Sequence, residues 1–441
     1  SDPAVIADHY SRAGEPQKSF EFWMLAAERA GQRLALAEAV TTLSAALAQA
    51  GRIADPALRA SFELAAQLKL GATIALQKGP TSGEAEQVLL EAHRLAGELK
   101  AGPELFQASW GLYINAARNR RYDRAAVIGQ ELTAIADELG DPDLQYEALH
   151  HRWGYAYFTG DAPGTLRLTE EGIRRYDRAR HHRFAYVYAG HDAGVCAHAI
   201  RAIAFGAAGE ARAIEPAMQA ALALSAELEH PATLIFAQVI GCSALHFARD
   251  ADALEAFTAR TVETAARYDV PVNREIAAFW TGAARVMRGE TERGLAAMSA
   301  SFETALASGF IGVLPGVAMA EALMRGGRGA EALALIARLL GATATPEVGM
   351  FMSELWRLRG ELVEREDAAL AEHCRRTALR IATAQQAGLL QARAGVSLAR
   401  FLAARRRRDE ARRALADSAV DRLPDREAPE VGAAGELRQA L

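Results

Sequence analysis

Lysine is nearly missing from this chain. Its 441 residues include only four, Lys18, Lys69, Lys78 and Lys100, and the remaining basic residues are all arginine. None of the four follows a G-x-x-x-x-G segment, so the sequence lacks the phosphate-cradling loop of nucleoside triphosphatases. Cysteine is as sparse. Cys196, Cys242 and Cys374 stand far apart with no C-x-x-C pair, which excludes a disulfide framework and fits a reducing compartment, each thiol acting as a small core residue. No G-x-S-x-G elbow and no H-E-x-x-H helix occurs. Adjacent carboxylates such as Glu170 and Glu171, or the near pair Glu364 and Glu366, fall on solvated helix faces rather than forming an acid–base pair. An enzyme is therefore not expected, and neither is a metal or organic cofactor.

Two further shortages narrow the class. The apolar window Ala193–Ala208 is too short to span a bilayer and carries His198 and Arg201, and no secretory signal pattern appears. A formal net charge of −5 and a pI near 6.2 argue against nucleic acid or an anionic membrane as the partner. A soluble, cytoplasmic protein is expected. Alternation of β-branched with polar residues is almost absent, whereas alanine and leucine abound, so the expectation is helix throughout.

What is present is a repeat. In the stretch Phe279–Leu306, Gly282 and Gly294 stand twelve apart, Gly289 ends a turn, and Met298 and Ser301 follow at helical spacing. That pattern describes two antiparallel helices pressed together, with Met298 in the groove between them. One such hairpin cannot bury its apolar face alone and calls for neighbours of the same kind. A small residue in the second helix recurs at Ala39, Ala85, Ala125, Thr165, Ala213, Ala253, Gly294, Ala332, Ala371 and Ala411, at intervals of 38 to 48 residues. The sequence thus predicts an all-α, tetratricopeptide-like helical-repeat solenoid, a right-handed superhelix of about ten helix-turn-helix repeats of about forty residues over 1–420. Residues 421–441 read as a linker and a C-terminal capping helix.

Two long intervals mark insertions, at residues 77–83 and 177–192. Pro216 falls inside a predicted second helix, where it should kink the helix or mark a late start. Arg405–Arg408 reads as a solvated turn, since Asp409 and Glu410 follow at once and no aromatics interleave. Trp153, Trp280 and Trp356 are assigned to packing.

Several runs resemble a known family. Ala7–Gly14, then Phe22, Trp23, Ala26 and Ala27, resembles the segment that joins an ATPase module to a helical tail. Tyr188–Cys196, Glu354–Leu362 and Ser397–Arg400 are similar to motifs of that tail. The proteins are bacterial multidomain chains that pair a class III adenylate/guanylate cyclase with an AAA/STAND-type ATPase and a tetratricopeptide-like C-terminus. His191 stands where that family usually shows glutamine, and Arg375 where it shows a large aromatic. The resemblance implies a regulatory or partner-binding tail of a signalling protein, cut from a longer chain whose catalytic domains lie upstream. Those domains could themselves be its partner, and a homo-oligomer is open.

The second insertion holds the densest chemistry: His181, His182, His191, Asp192, Cys196 and His198. Asp192 precedes a helix and can cap its N–H groups. A polar ligand pocket is an alternative, and zinc a third, though the ligand spacing is irregular. The leading function is a non-catalytic interaction scaffold with a protein or peptide partner. Aligning the repeats aims His151, Tyr155, His198, Gln238, Phe279 and Arg357 at the concave groove. The alternative is a small-molecule or peptide sensor with a pocket at 186–198, where Tyr188, His191 and Asp192 would contact the ligand.

Overall fold

A computed structural model describes residues 2–33, 35–188, 190–268, 271–307 and 313–441. Ala189 of the Tyr188–Cys196 run lies outside them. The described residues hold twenty-three α-helices and no strand. The first eight are α1 (Pro3–Arg12), α2 (Pro16–Gln32), α3 (Leu36–Ala50), α4 (Pro56–Lys78), α5 (Gly83–Glu98), α6 (Gly102–Arg118), α7 (Tyr122–Leu139) and α8 (Pro142–Thr159). Next come α9 (Ala162–Arg175), the short α10 (Arg178–His181), α11 (Ala193–Ala208), α12 (Ala211–Leu228), α13 (Pro231–Ala248), α14 (Ala251–Arg267), α15 (Pro271–Met287) and α16 (Thr291–Ala307). The last seven are α17 (Leu314–Arg325), α18 (Gly329–Gly341), α19 (Met352–Leu362), α20 (Ala368–Ala384), α21 (Gly388–Ala404), α22 (Arg408–Asp417) and α23 (Pro429–Ala440).

From α2 to α22, the short α10 apart, the helices pair into hairpins, and each small residue tracked in the sequence lies on the second helix of a pair. The pair α15–α16 shows why. A Cβ on Gly282 would stand 2.7 Å from the Gly294 carbonyl oxygen and 2.7 Å from Met298 Cγ, so only glycine admits this approach. Gly289 turns the chain at φ +88°, and Met298 is fully buried. Ala39, Ala85, Ala125, Thr165, Ala332, Ala371 and Ala411 are likewise buried at their crossings.

Ala213 and Ala253 are not. In those two pairs the fit is inverted: Gly206 on α11 faces Ile214 and Phe247, and Gly241 on α13 faces the Phe257 ring. Glycine on the first helix leaves a hollow there that a large side chain fills. Pro216 neither ends nor delays its helix, since α12 runs from Ala211 through it. Arg375, in the aromatic's place, stacks on Phe401 at 4.6 Å and donates to the Gly360 carbonyl at 2.7 Å.

The chain divides into two compact units, residues 1–151 and 152–441. In the first, Trp110 and Tyr113 are buried, and the Tyr113 hydroxyl donates to the His151 carbonyl at 3.0 Å. In the second, Trp153 packs against Gly172, and Trp280 is buried. Trp356 is half-buried and donates to the Pro346 carbonyl at 3.1 Å.

The second unit curls back on itself. The start of α21 meets the end of α11, where a Cβ on Gly388 would lie 2.5 Å from the Ala208 carbonyl oxygen. Phe247 at the end of α13 packs on Phe351 before α19, with ring centroids 5.0 Å apart. Leu423, beyond the last repeat, is buried near Gly209. Among the described residues one helix, α13, is long and apolar enough to cross a membrane, and 72% of it is buried within the fold. It exceeds the Ala193–Ala208 window in length.

Candidate binding chamber

The insertion after α9 is held together by Asp192. One carboxylate oxygen caps α11, accepting from the amides of Gly194 at 2.9 Å and Val195 at 3.1 Å. The other accepts from the Tyr176 hydroxyl at 2.8 Å and lies 3.0 Å from His182 Nδ1. Its own amide donates to Thr233 Oγ1 at 2.9 Å, and Thr233 also meets His230 Nδ1 at 2.7 Å. Burial, then the neighbouring Asp192 charge, pushes the Tyr176 hydroxyl far above its ordinary value. Burial, then His182, holds His230 below its own.

His191 stacks flat on Phe236 at 3.8 Å, and Tyr188 sits 5.3 Å from the Phe184 ring. His181 Nδ1 accepts from the Asp177 amide at 3.0 Å. His198 is half-buried on α11, and burial followed by Arg201 keeps it below its usual range. Both Asp192 oxygens are therefore engaged by the protein itself.

The residues aimed at the groove fare unevenly. His151 is buried against Gly129, Gln238 donates to Thr264 on α14 at 2.9 Å, and Phe279 is buried near Phe302 of α16. Gln238 and Phe279 thus pack toward their own second helix, and His151 toward α7 of the preceding pair. Tyr155 is half-buried on α8. Arg357 lines an open pocket.

That pocket is a cavity of about 480 Å³ in the second unit, bounded by α17, α19, α21, α23 and the end of α13. Its wall is charged. Glu321, Arg357 and Arg393 occupy α17, α19 and α21, thirty-six residues apart in each step. Arg357 pairs with Glu354 at 2.8 Å, Glu361 at 2.9 Å and Glu321 at 3.4 Å. Arg249, one residue past α13 in the left-handed conformation (φ 57°), reaches Glu321 at 3.1 Å. Arg393 lies 3.5 Å from Glu354 and 2.9 Å from Glu430 of α23, and its guanidinium sits 5.8 Å from the Phe247 ring. Ser397 donates to Glu361 at 2.8 Å.

Burial alone would raise the Glu321 carboxyl, but Arg249 and Arg357 outweigh it and hold the group ionised far into acid. Glu354 is held low in the same way by Arg357 and Arg393. His246, one turn before Arg249, is pushed down to about 3 by burial and then by Arg249, and stays neutral. Arg325 and Arg400, both exposed, also line the cavity, and among the described residues neither has a carboxylate within ion-pair distance, Arg325 donating instead to the Val286 carbonyl. Of this network the sequence reading found only Arg357. The available signal was a charge on the otherwise apolar face of three successive first helices.

No family model matches the chain. In sequence it is similar to an uncharacterized protein of Rhizobium meliloti (strain 1021), 24% identical over 410 residues, which cover 90% of this chain and 39% of that protein. The chain thus spans well under half the length of that relative. In structure it is similar to a Rap protein complexed with competence and sporulation factor, at a TM-score of 0.53 and 11% identity, over 86% of this chain and 99% of that one. The chain is an all-α tetratricopeptide-like solenoid. A STAND protein with a tetratricopeptide repeat sensor from Pyrococcus horikoshii aligns at a TM-score of 0.41 and 12% identity, over 86% of this chain and 54% of that one.

Proposed function

We propose that this chain is a non-catalytic interaction module, the regulatory or partner-binding part of a larger signalling protein, and that the open pocket of its second unit receives a segment of a protein partner. The partner is a separate protein or a catalytic domain of the same longer chain. One observation carries the reading. An open pocket of about 480 Å³ is lined by charged side chains fixed by one another, and the exposed Arg325 and Arg400 at its edge meet no carboxylate. Side chains held by neighbours before a ligand arrives lose little freedom on binding, which favours recognition.

A panel of fluorescent peptides of equal length, acidic, neutral and basic, tests the reading by anisotropy. The full chain should bind one class, and a double Arg325→Ala/Arg400→Ala variant should bind it at least tenfold more weakly. Binding that survives both changes, or turnover of a nucleoside triphosphate by the purified chain, would contradict it.

A further inference from the structure

The helix α23 that closes the cavity is weakly built. Ala434 is its one fully buried residue. Gly432 and Gly435 face open space, and glycine in a helix interior weakens it relative to alanine. Two of its ties are exposed ion pairs, Arg438 with Asp421 at 2.7 Å and, from the linker before it, Arg212 with Glu427 at 3.4 Å. Exposed pairs of this kind hold little. Its one inward charge is Glu430, and that carboxylate is imperfectly seated. Oε1 takes the Arg393 bond at 2.9 Å, while Oε2 is buried without a hydrogen-bond partner. A carboxylate usually meets arginine through both oxygens.

The charges around this seat are uneven. Arg249, Arg325, Arg357, Arg393 and Arg400 face Glu321, Glu354, Glu361 and Glu430, five against four. Without Glu430 the count is five against three, and Arg393 keeps only its longer contact with Glu354. The remaining glutamates still line the wall, so the vacated place suits a single carboxylate better than a dense polyanion.

We infer that the cavity is a receptor site for a carboxylate-bearing peptide segment, and that Glu430 on α23 occupies the carboxylate's place until such a segment displaces the helix. This rests on the cavity being the partner site. Its shape is that of an internal competitor: a short helix, loosely attached, offering one acid to a buried arginine. Displacement exchanges one Arg393–carboxylate contact for another and adds Arg325 and Arg400 as further partners.

The test uses the full chain and a fluorescein-labelled peptide with the sequence of residues 424–441. Wild-type chain should bind it weakly, and Glu430→Gln at least tenfold more tightly, because the competing acid is gone. A peptide carrying the same Glu430→Gln change should lose that gain. In wild type, saturating peptide should raise amide exchange across 429–440. The exchange and peptide-variant arms keep the test decisive should the Glu430→Gln chain fold poorly. Equal affinity for both chains with unchanged exchange overturns Glu430 as the occupant while leaving the cavity as a binding site. No binding by either chain, together with a peptide panel in which no class binds, removes both readings. Competition by inorganic phosphate as strong as by the unlabelled 424–441 peptide would overturn the preference for a carboxylate.

Discussion

Arg357 reaches Glu321 across one whole repeat, 3.4 Å apart although the two are thirty-six residues distant in the chain. Arg357 also holds Glu354 and Glu361 on its own helix, so three carboxylates converge on one buried guanidinium. Burial would depress the arginine's pKa, but Glu354 and Glu361 more than offset it, and it stays charged. Removing one member of such a buried set leaves the others uncompensated. Arg357→Ala should lower the unfolding free energy by about 3–5 kcal/mol, measured by urea titration. Arg288→Ala also breaks two pairs, with Asp252 and Glu255, but both carboxylates are solvated and the unfolding midpoint should not move.

Stability of the second unit should fall in mild acid through His246. Its ordinary value is 6.5, and in the fold it is pushed down to about 3. Between these values the unfolded chain holds a proton that the folded one refuses, so stability declines as pH drops below 6.5 and this decline ends near 3. The slope approaches about 1.4 kcal/mol per pH unit. His198 and His230, also held low, add to it. Urea midpoints measured from pH 7 to 5, above the range where glutamates titrate, should decline less steeply in a His246→Leu variant than in wild type. Parallel slopes would contradict the assignment.

Asp192 and Asp250 offer a controlled comparison of two helix caps. Asp250 makes a cap alone, accepting from the Ala253 amide at 2.9 Å. Loss of such a cap costs about 0.5–2 kcal/mol. Asp192 adds Tyr176 and His182, so Asp192→Ala should cost more than Asp250→Ala and should raise amide exchange around residues 177–210. His191→Ala, which removes a stacked ring and no cap, should raise it less. A chelator should change neither, and loosening by chelator alone would establish a metal in the insertion.

Glycine substitutions should have opposite signs at two places. Gly282→Ala forces a methyl against the Gly294 carbonyl oxygen, and overpacking of this kind costs about 1–3 kcal/mol. Gly432→Ala meets nothing within 4 Å and should stabilise α23 by about 0.5–1 kcal/mol. Local amide exchange in residues 429–440 reads the second directly.

The array was legible because close helix crossings demand small residues at fixed spacing. Gly282, Gly294 and Met298 announce one crossing, and Ala332, Ala371 and Ala411 repeat it. The rule failed at Ala213 and Ala253, since Gly206 and Gly241 on the opposing helix relieve the same constraint. Asp192 was legible as a cap because capping is local. Its bonds to Tyr176 and Thr233 join segments whose proximity no spacing encodes. The charged cavity was hidden for a related reason. Arg249, Glu321, Arg393 and Glu430 meet only because the second unit curls until its end returns to α11 and α13. Repeat periodicity fixes each hairpin far better than the small rotation between hairpins, and that rotation decides what faces inward.

Amide exchange mapped on the full chain with and without the peptide of residues 424–441 tests the central claim most directly. The account predicts protection on α17, α19 and α21 around Glu321, Arg357 and Arg393, with faster exchange in α23 as it leaves. Protection confined to residues 186–198, or none in the second unit at saturating peptide, would contradict it.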